Sequence, residues 1–167
     1  MSGITTFDPS GTTKTGYFHF ENYQNYEFGT IEATNSVEHG KKIDILIKNK
    51  QPQILAWEYA QFFRVKFANS DLLELVYING IIGYLANVNV IPQTFKIVNL
   101  EIQRHLNNSE IHGLELRSVP IPRGRPKKAW YFRNQLINEH ERDALMVFYI
   151  VWTQKLKKPW PWNSNII

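Results

Sequence analysis

The stretch Ile4-Thr5-Thr6-Phe7-Asp8-Pro9-Ser10-Gly11-Thr12-Thr13-Lys14-Thr15-Gly16-Tyr17 decides how the chain is read. β-Branched Ile4, Thr5 and Thr6 ahead of Phe7 read as a strand. Asp8 is followed at once by Pro9 and soon by Gly11, which stop a hydrogen-bonded ladder and open a loop. Asp8 is therefore expected at the carboxyl end of a first strand. Thr12, Thr13, Lys14 and Thr15 give the loop hydroxyls and a cation able to face a phosphate. Tyr17-Phe18-His19-Phe20 follows so closely that it can only be an antiparallel partner.

Residues 26–34 alternate well enough to complete a three-stranded meander. Asn35 or Ser36 can then cap a helix over 37–50, whose last turn carries Lys48 and Lys50 where the helix dipole favours cations. Gln51-Pro52-Gln53 breaks it, and Ile54-Leu55-Ala56-Trp57-Glu58 is a buried strand ending in a second carboxylate. A right-handed crossover through the helix would lay this strand parallel to the first, bringing Glu58 near Asp8 at the carboxyl edge of the sheet. Beyond it, Phe62, Phe63 and Arg64 offer stacking faces and a phosphate contact beside that edge. Residues 69–87 predict a long helix that is apolar nearly all round, so a subunit interface or a covering loop must complete its burial. A fifth strand is expected over 95–100.

The chain has 167 residues, enough for one domain, here taken as 1–167, with a net charge of +4 that weakly favours a polyanionic partner. It has no cysteine, which excludes disulfides, thiolate metal sites and a cysteine nucleophile. The most apolar stretch, 76–90, is interrupted by Asn79, Gly80, Gly83, Asn87 and Asn89, so no membrane partner is expected and a soluble, cytoplasmic protein is. Residues 117–138 hold Arg117, Arg123, Arg125, Lys127, Lys128 and Arg133 with no acid, six positive charges in one segment. Its prolines read as a basic loop over 117–128 suited to phosphates, with a helix starting near Pro126. A last helix is expected over 138–152. Glu139 or His140 can share a face with Asp143, about 40° and 60° away respectively, whereas Glu141 lies about 160° away. The basic, Trp-rich tail over 155–167 reads as a nucleic-acid or subunit contact.

Asp8-Pro9-Ser10-Gly11 with Thr15-Gly16-Tyr17, Glu58 closing its strand, and His140-x-x-Asp143-Ala144-Leu145 together resemble the RuvC family of Holliday junction resolvases, in its bacteriophage branch. The resemblance implies an α/β ribonuclease H-like fold with a mixed five-stranded sheet flanked by helices. It also implies a homodimer and paired nicks on opposing strands of a four-way junction, leaving 5′-phosphate and 3′-hydroxyl ends. If the protein is phage-encoded, it would work in the host cell cytoplasm. By position, Asp8, Glu58 and Asp143 match the family's catalytic acids. His140 stands where an acid is common, leaving Glu139 as a rival ligand. Lys128, with Lys127 adjacent, matches the phosphate-assisting lysine and Lys96 a second basic position; Phe62 and Phe63 are candidates for the aromatic past the second acid. With Lys14, Arg64, Arg123 and Arg125 these form the expected DNA contacts.

Carboxylates with at most one imidazole suit Mg²⁺ or Mn²⁺, two ions per site, for in-line displacement at a phosphodiester. Asp8, Glu58, Asp143 and His140, or Glu139 in its place, are the expected ligands, and Lys128 the stabiliser of phosphate charge. The rival readings are a structure-selective nuclease for forks and other branched DNA, a non-catalytic branched-DNA binding protein, and an actin-like phosphotransferase. The last needs two lobes, and the chain has residues for one.

Overall fold

The computed structural model describes residues 3–10, 12–59, 70–108, 111–120 and 125–163. Phe62, Phe63, Arg64 and Arg123 lie outside the described residues. β1 (Ile4–Asp8) pairs antiparallel with β2 (Lys14–Phe20), and β2 with β3 (Tyr26–Glu32). On the other side of β1, β4 (Ile54–Tyr59) and then β5 (Gln93–Val98) run parallel to it, giving the order β3-β2-β1-β4-β5. This is the expected mixed sheet, with both carboxylate-bearing strands side by side at its centre.

β1 is buried on both faces, so its two threonines need internal partners. Thr5 shares a hydrogen bond of 2.7 Å with His19, and Thr6 donates to the Ala144 carbonyl at 2.7 Å. On one side of the sheet, Phe7, Leu55 and Trp57 pack against α1 (Ser36–Lys50) and α2 (Ser70–Val88) through Ile43, Ile47, Ile78 and Ile82. Asn35 caps α1, accepting from the Glu38 amide at 2.9 Å. On the opposite side, Ile4, Phe18, Ala56 and Ile97 meet α4 (Glu139–Ile150) and Ile102 of α3 (Asn99–Asn108). α4 ends two residues before the expected Trp152 and passes into a π-helical turn, Val151–Lys155. Among the described residues no helix is long and apolar enough to cross a membrane.

Three expectations are corrected. Instead of a helix from Pro126, the chain forms a second antiparallel sheet of β6 (Leu114–Val119), β7 (Lys127–Phe132) and β8 (Gln135–Ile137). Trp130, Tyr131 and Phe132 favour a strand, Phe132 being buried in the core. Arg133 and Asn134 close the two-residue turn with φ of 48° and 68°, as a twisted hairpin requires. Lys127 and Lys128 therefore stand on a strand, and the basic loop over 117–128 begins and ends in sheet. Second, Trp160 of the tail is held in the protein's own core and is not available for the nucleic-acid or subunit contact expected of the tail. Trp160 is 4% exposed, packs on Phe132, Phe148 and Tyr149, and donates to the His112 carbonyl at 3.0 Å. Third, Thr15 is fully buried, its hydroxyl bonding Ser10, so it cannot face a phosphate.

Candidate active site at the carboxyl edge of the sheet

Strand parity sends the acids to one face. Along β1 and β4, Phe7 and Trp57 face α1 and α2, so Asp8 and Glu58, one residue on, turn toward α4. The same alternation, with Phe95 and Ile97 facing α4, places Asn99 on that side at the start of α3. From above, α4 brings its first turn. Asn138 accepts from the Glu141 amide while the Glu141 side chain takes the Asn138 amide, a reciprocal cap that also holds Thr30. Glu141 is thus occupied in capping, and Glu139, His140 and Asp143 face the sheet edge.

Gly16 explains how close this helix comes. A Cβ there would overlap the His140 carbonyl group and crowd the Glu141 amide at 2.8 Å. Only a residue without a side chain lets the first turn of α4 rest on β2 at this point.

Asp8, Glu58, Asn99, Glu139, His140 and Asp143 line one cavity of about 250 Å³, with Pro9 and Leu75. His140 Nδ1 donates to Asp8 Oδ2 at 2.8 Å, since a carboxylate can only accept; in the neutral ring this leaves the lone pair on Nε2. That hydrogen bond is the main reason the His140 pKa moves up, burial opposing it. Asn99 Nδ2 donates to Glu58 Oε1 at 2.7 Å. Burial, then the neighbouring Asp8 charge, pushes the Glu58 carboxyl up to about 8 despite the Asn99 hydrogen bond. Burial also raises Asp143, and the Arg142 guanidinium, bonded to both its oxygens at 2.7 and 2.8 Å, holds it back only in part.

The donor set suits a hard divalent cation: three carboxylates, a fourth at the rim in Glu139, and one imidazole. The raised Glu58 pKa is consistent with this donor set: burial comes first in disfavouring the charged carboxylate and the neighbouring Asp8 charge second, both of which a bound cation would offset. As the side chains stand, Asp8, Glu58 and Asp143 are each turned to an internal partner, His140, Asn99 and Arg142 respectively. Among the described residues no group of three His, Asp or Glu side chains is arranged to hold an ion.

The remaining expected residues lie elsewhere. Lys127 and Lys128 line a neighbouring groove of about 830 Å³ with Trp130 and Tyr131; Glu139 lines both this groove and the carboxylate cavity. Lys96, on β5, lies over the rings of Tyr59 and Trp57 at 5.0 and 5.9 Å. Lys14 pairs with Glu32 at 3.0 Å, away from the cavity, and Arg125 is exposed ahead of β7. Sequence reasoning missed Asn99 and Arg142. Parity from Phe95 and Ile97 pointed to Asn99, whereas nothing in the spacing pointed to Arg142.

No protein-family model matches the chain, and no curated protein matches it in sequence. Among solved structures, a Thermus thermophilus RuvC in complex with a Holliday junction substrate aligns with a TM-score of 0.55 at 16% identity, covering 88% of this chain and 90% of that one. A second Thermus thermophilus RuvC structure aligns with a TM-score of 0.55 at 14% identity, covering 95% and 99%. At such identity the likeness establishes the ribonuclease H-like fold of RuvC and nothing finer.

Proposed function

We propose that the chain is a divalent-metal-dependent endonuclease that resolves four-way DNA junctions by paired nicks. The observation that carries this reading is the convergence of Asp8, Glu58, His140 and Asp143 in one cavity at the carboxyl edge of a RuvC-like sheet. The Thermus protein with that fold is seen with a Holliday junction, which favours branched DNA as the substrate class. Asp8, Glu58 and Asp143, with His140 or Glu139, would hold the cations. Bound there, Mg²⁺ or Mn²⁺ would lower the pKa of the attacking water and offset charge on the leaving oxygen.

The protein's own groups prepare the displacement. Asp8 orients the His140 ring through Nδ1, Asn99 fixes one oxygen of Glu58, and the capped first turn of α4 sets the height of His140 above β1. The water oxygen attacks phosphorus in line and releases a proton to solvent, while the bond to the 3′ oxygen breaks and that oxygen takes a proton from solvent. The ends are a 5′-phosphate and a 3′-hydroxyl. Lys127 and Lys128, in the groove joined to the cavity by Glu139, would hold the incoming backbone. Two sites working on opposing strands require a homodimer, for which the exposed apolar face of α2 is the candidate surface. A phage-encoded enzyme of this kind would act in the host cytoplasm.

The test is mapped cleavage of a synthetic four-way junction beside a fork, a linear duplex and an RNA–DNA hybrid, with Mg²⁺ or Mn²⁺. Symmetrical paired nicks are expected on the junction, lost in Asp8→Asn with junction binding retained. Equal cleavage of forks would broaden the substrate to branched DNA at large. Binding without any metal-dependent nicking would make the protein a non-catalytic junction binder.

A further inference from the structure

Each of the three central acids already has a partner: His140 for Asp8, Asn99 for Glu58 and Arg142 for Asp143. Of these partners only Arg142 carries a permanent positive charge. It competes directly with any cation for Asp143, because Nε and Nη2 take both carboxylate oxygens, at 2.7 and 2.8 Å. The pair is well defined. The two side chains are 14% and 19% exposed, and the guanidinium lies 5.1 Å from the centre of the Trp130 ring, which backs it from β7.

Trp130 also lines the groove that holds Lys127 and Lys128. A nucleic-acid backbone held by those lysines would pass beside the ring on which Arg142 rests. The guanidinium fork fits a phosphate as well as it fits a carboxylate, so an arriving phosphodiester offers Arg142 an equivalent partner. We propose that Arg142 is an exchange residue: it occupies Asp143 while no substrate is bound, and on binding transfers its fork to a substrate phosphate, releasing the Asp143 oxygens for a divalent cation.

This inference rests on the nuclease reading and deepens it by making cation binding conditional on substrate. Arg142 acts through Asp143 and is a positioning residue. Exchange implies that substrate and cation raise each other's affinity by the same factor, whereas a pair serving only the fold implies no such dependence on Arg142.

The experiment measures Mn²⁺ affinity by calorimetry on the full chain, alone and with a four-way junction carrying phosphorothioates at its centre, which keep the charge and slow cleavage. In the wild type the junction is expected to tighten Mn²⁺ binding about tenfold. Arg142→Ala is expected to bind Mn²⁺ more tightly than wild type without the junction and to gain less from it. Arg142→Lys, which keeps the charge and loses the fork, should fall between. If Arg142→Ala does not give a cooperative melt, the lysine variant decides by the same criterion. Unchanged or weaker Mn²⁺ binding by the folded variant without junction overturns the proposal. Wild-type nicking measured in parallel separates the failures: a nicked junction with no Arg142 dependence overturns the exchange alone, and neither nicking nor Mn²⁺ binding overturns both.

Discussion

Glu58 makes the carboxylate cavity measurable without a substrate. Its carboxyl is held at about 8 against an ordinary 4.5, so the native state keeps a proton that the unfolded chain releases. Metal-free stability therefore falls as pH rises from about 4.5 to about 8 and levels off above. The upward shifts of Asp143 and His140 act in the same direction. Melting of the metal-free protein should drop across this window, and Mg²⁺ should restore it. In Glu58→Gln the decline should be shallower and the variant more stable than wild type near pH 8, by about 1–2 kcal/mol, with the Mg²⁺ response lost. A wild-type melting temperature that is flat from about pH 5 to pH 8 would show that the Glu58 carboxyl is not buried beside Asp8.

Gly16 gives a second test at this scale. Gly16→Ala must push the first turn of α4 off β2, since the new methyl would meet backbone and not a movable side chain. Such overpacking should cost about 1–3 kcal/mol. Because it displaces His140 and Asp143 from the acids on the sheet, nicking should fall by about 10²-fold while the fold survives. Full activity in a folded Gly16→Ala protein would mean the height of α4 does not matter.

The same residues show why part of the site was legible. Asp8 and Glu58 each end an apolar strand, and the period of two sends both to one face, so their meeting follows from pattern alone. His140 and Asp143 are three apart on a helix, which fixes their shared face. Arg142 was unreadable because its pairing with its own neighbour depends on a side-chain fold-back against Trp130 from a distant strand.

Among the elements, α2 carries the clearest unspent surface. Leu73, Tyr77, Gly80, Tyr84 and Val88 fall within an arc of about 80° on the helix. The four with side chains are 43–66% exposed, and a Cβ at Gly80 would meet nothing within 4 Å. A glycine at the middle of an exposed apolar stripe lets a second helix approach closely. Sedimentation of the wild type should therefore show a dimer, with Tyr84→Glu or Gly80→Glu monomeric and still folded. A wild type that sediments as a monomer at micromolar concentration would remove α2 as the interface. The second sheet shows the limit of element reading. Its hairpin turn is Arg133-Asn134 and lacks the glycine that usually marks such turns, and its first connection is rich in proline and cations. Both signals of sheet were hidden, although the aromatic run before the turn was in view.

At the scale of the molecule, the small sheet and the tail belong to the same core as the large sheet. Phe132 of β7 lies 5.9 Å from Tyr26 and 5.5 Å from Phe28 of β3, while Trp160 touches Phe132, Phe148 and Tyr149. Rings from β2, β3, β7, α4 and the tail thus share one apolar cluster, which would be exposed if either sheet opened alone. We therefore expect the chain to unfold as one domain, with calorimetric and van't Hoff enthalpies equal and tryptophan fluorescence and backbone dichroism changing together. Trp160→Ala should cost about 3–5 kcal/mol and lower the melting temperature by about 2–4 °C for each, without splitting the transition. If the fluorescence change instead precedes the loss of secondary structure, the small sheet and tail form a separate unit. The groove holding Lys127, Lys128 and Trp130 would then be free to move relative to the acids, and the coupling of Arg142 to substrate would have to act across a loose joint.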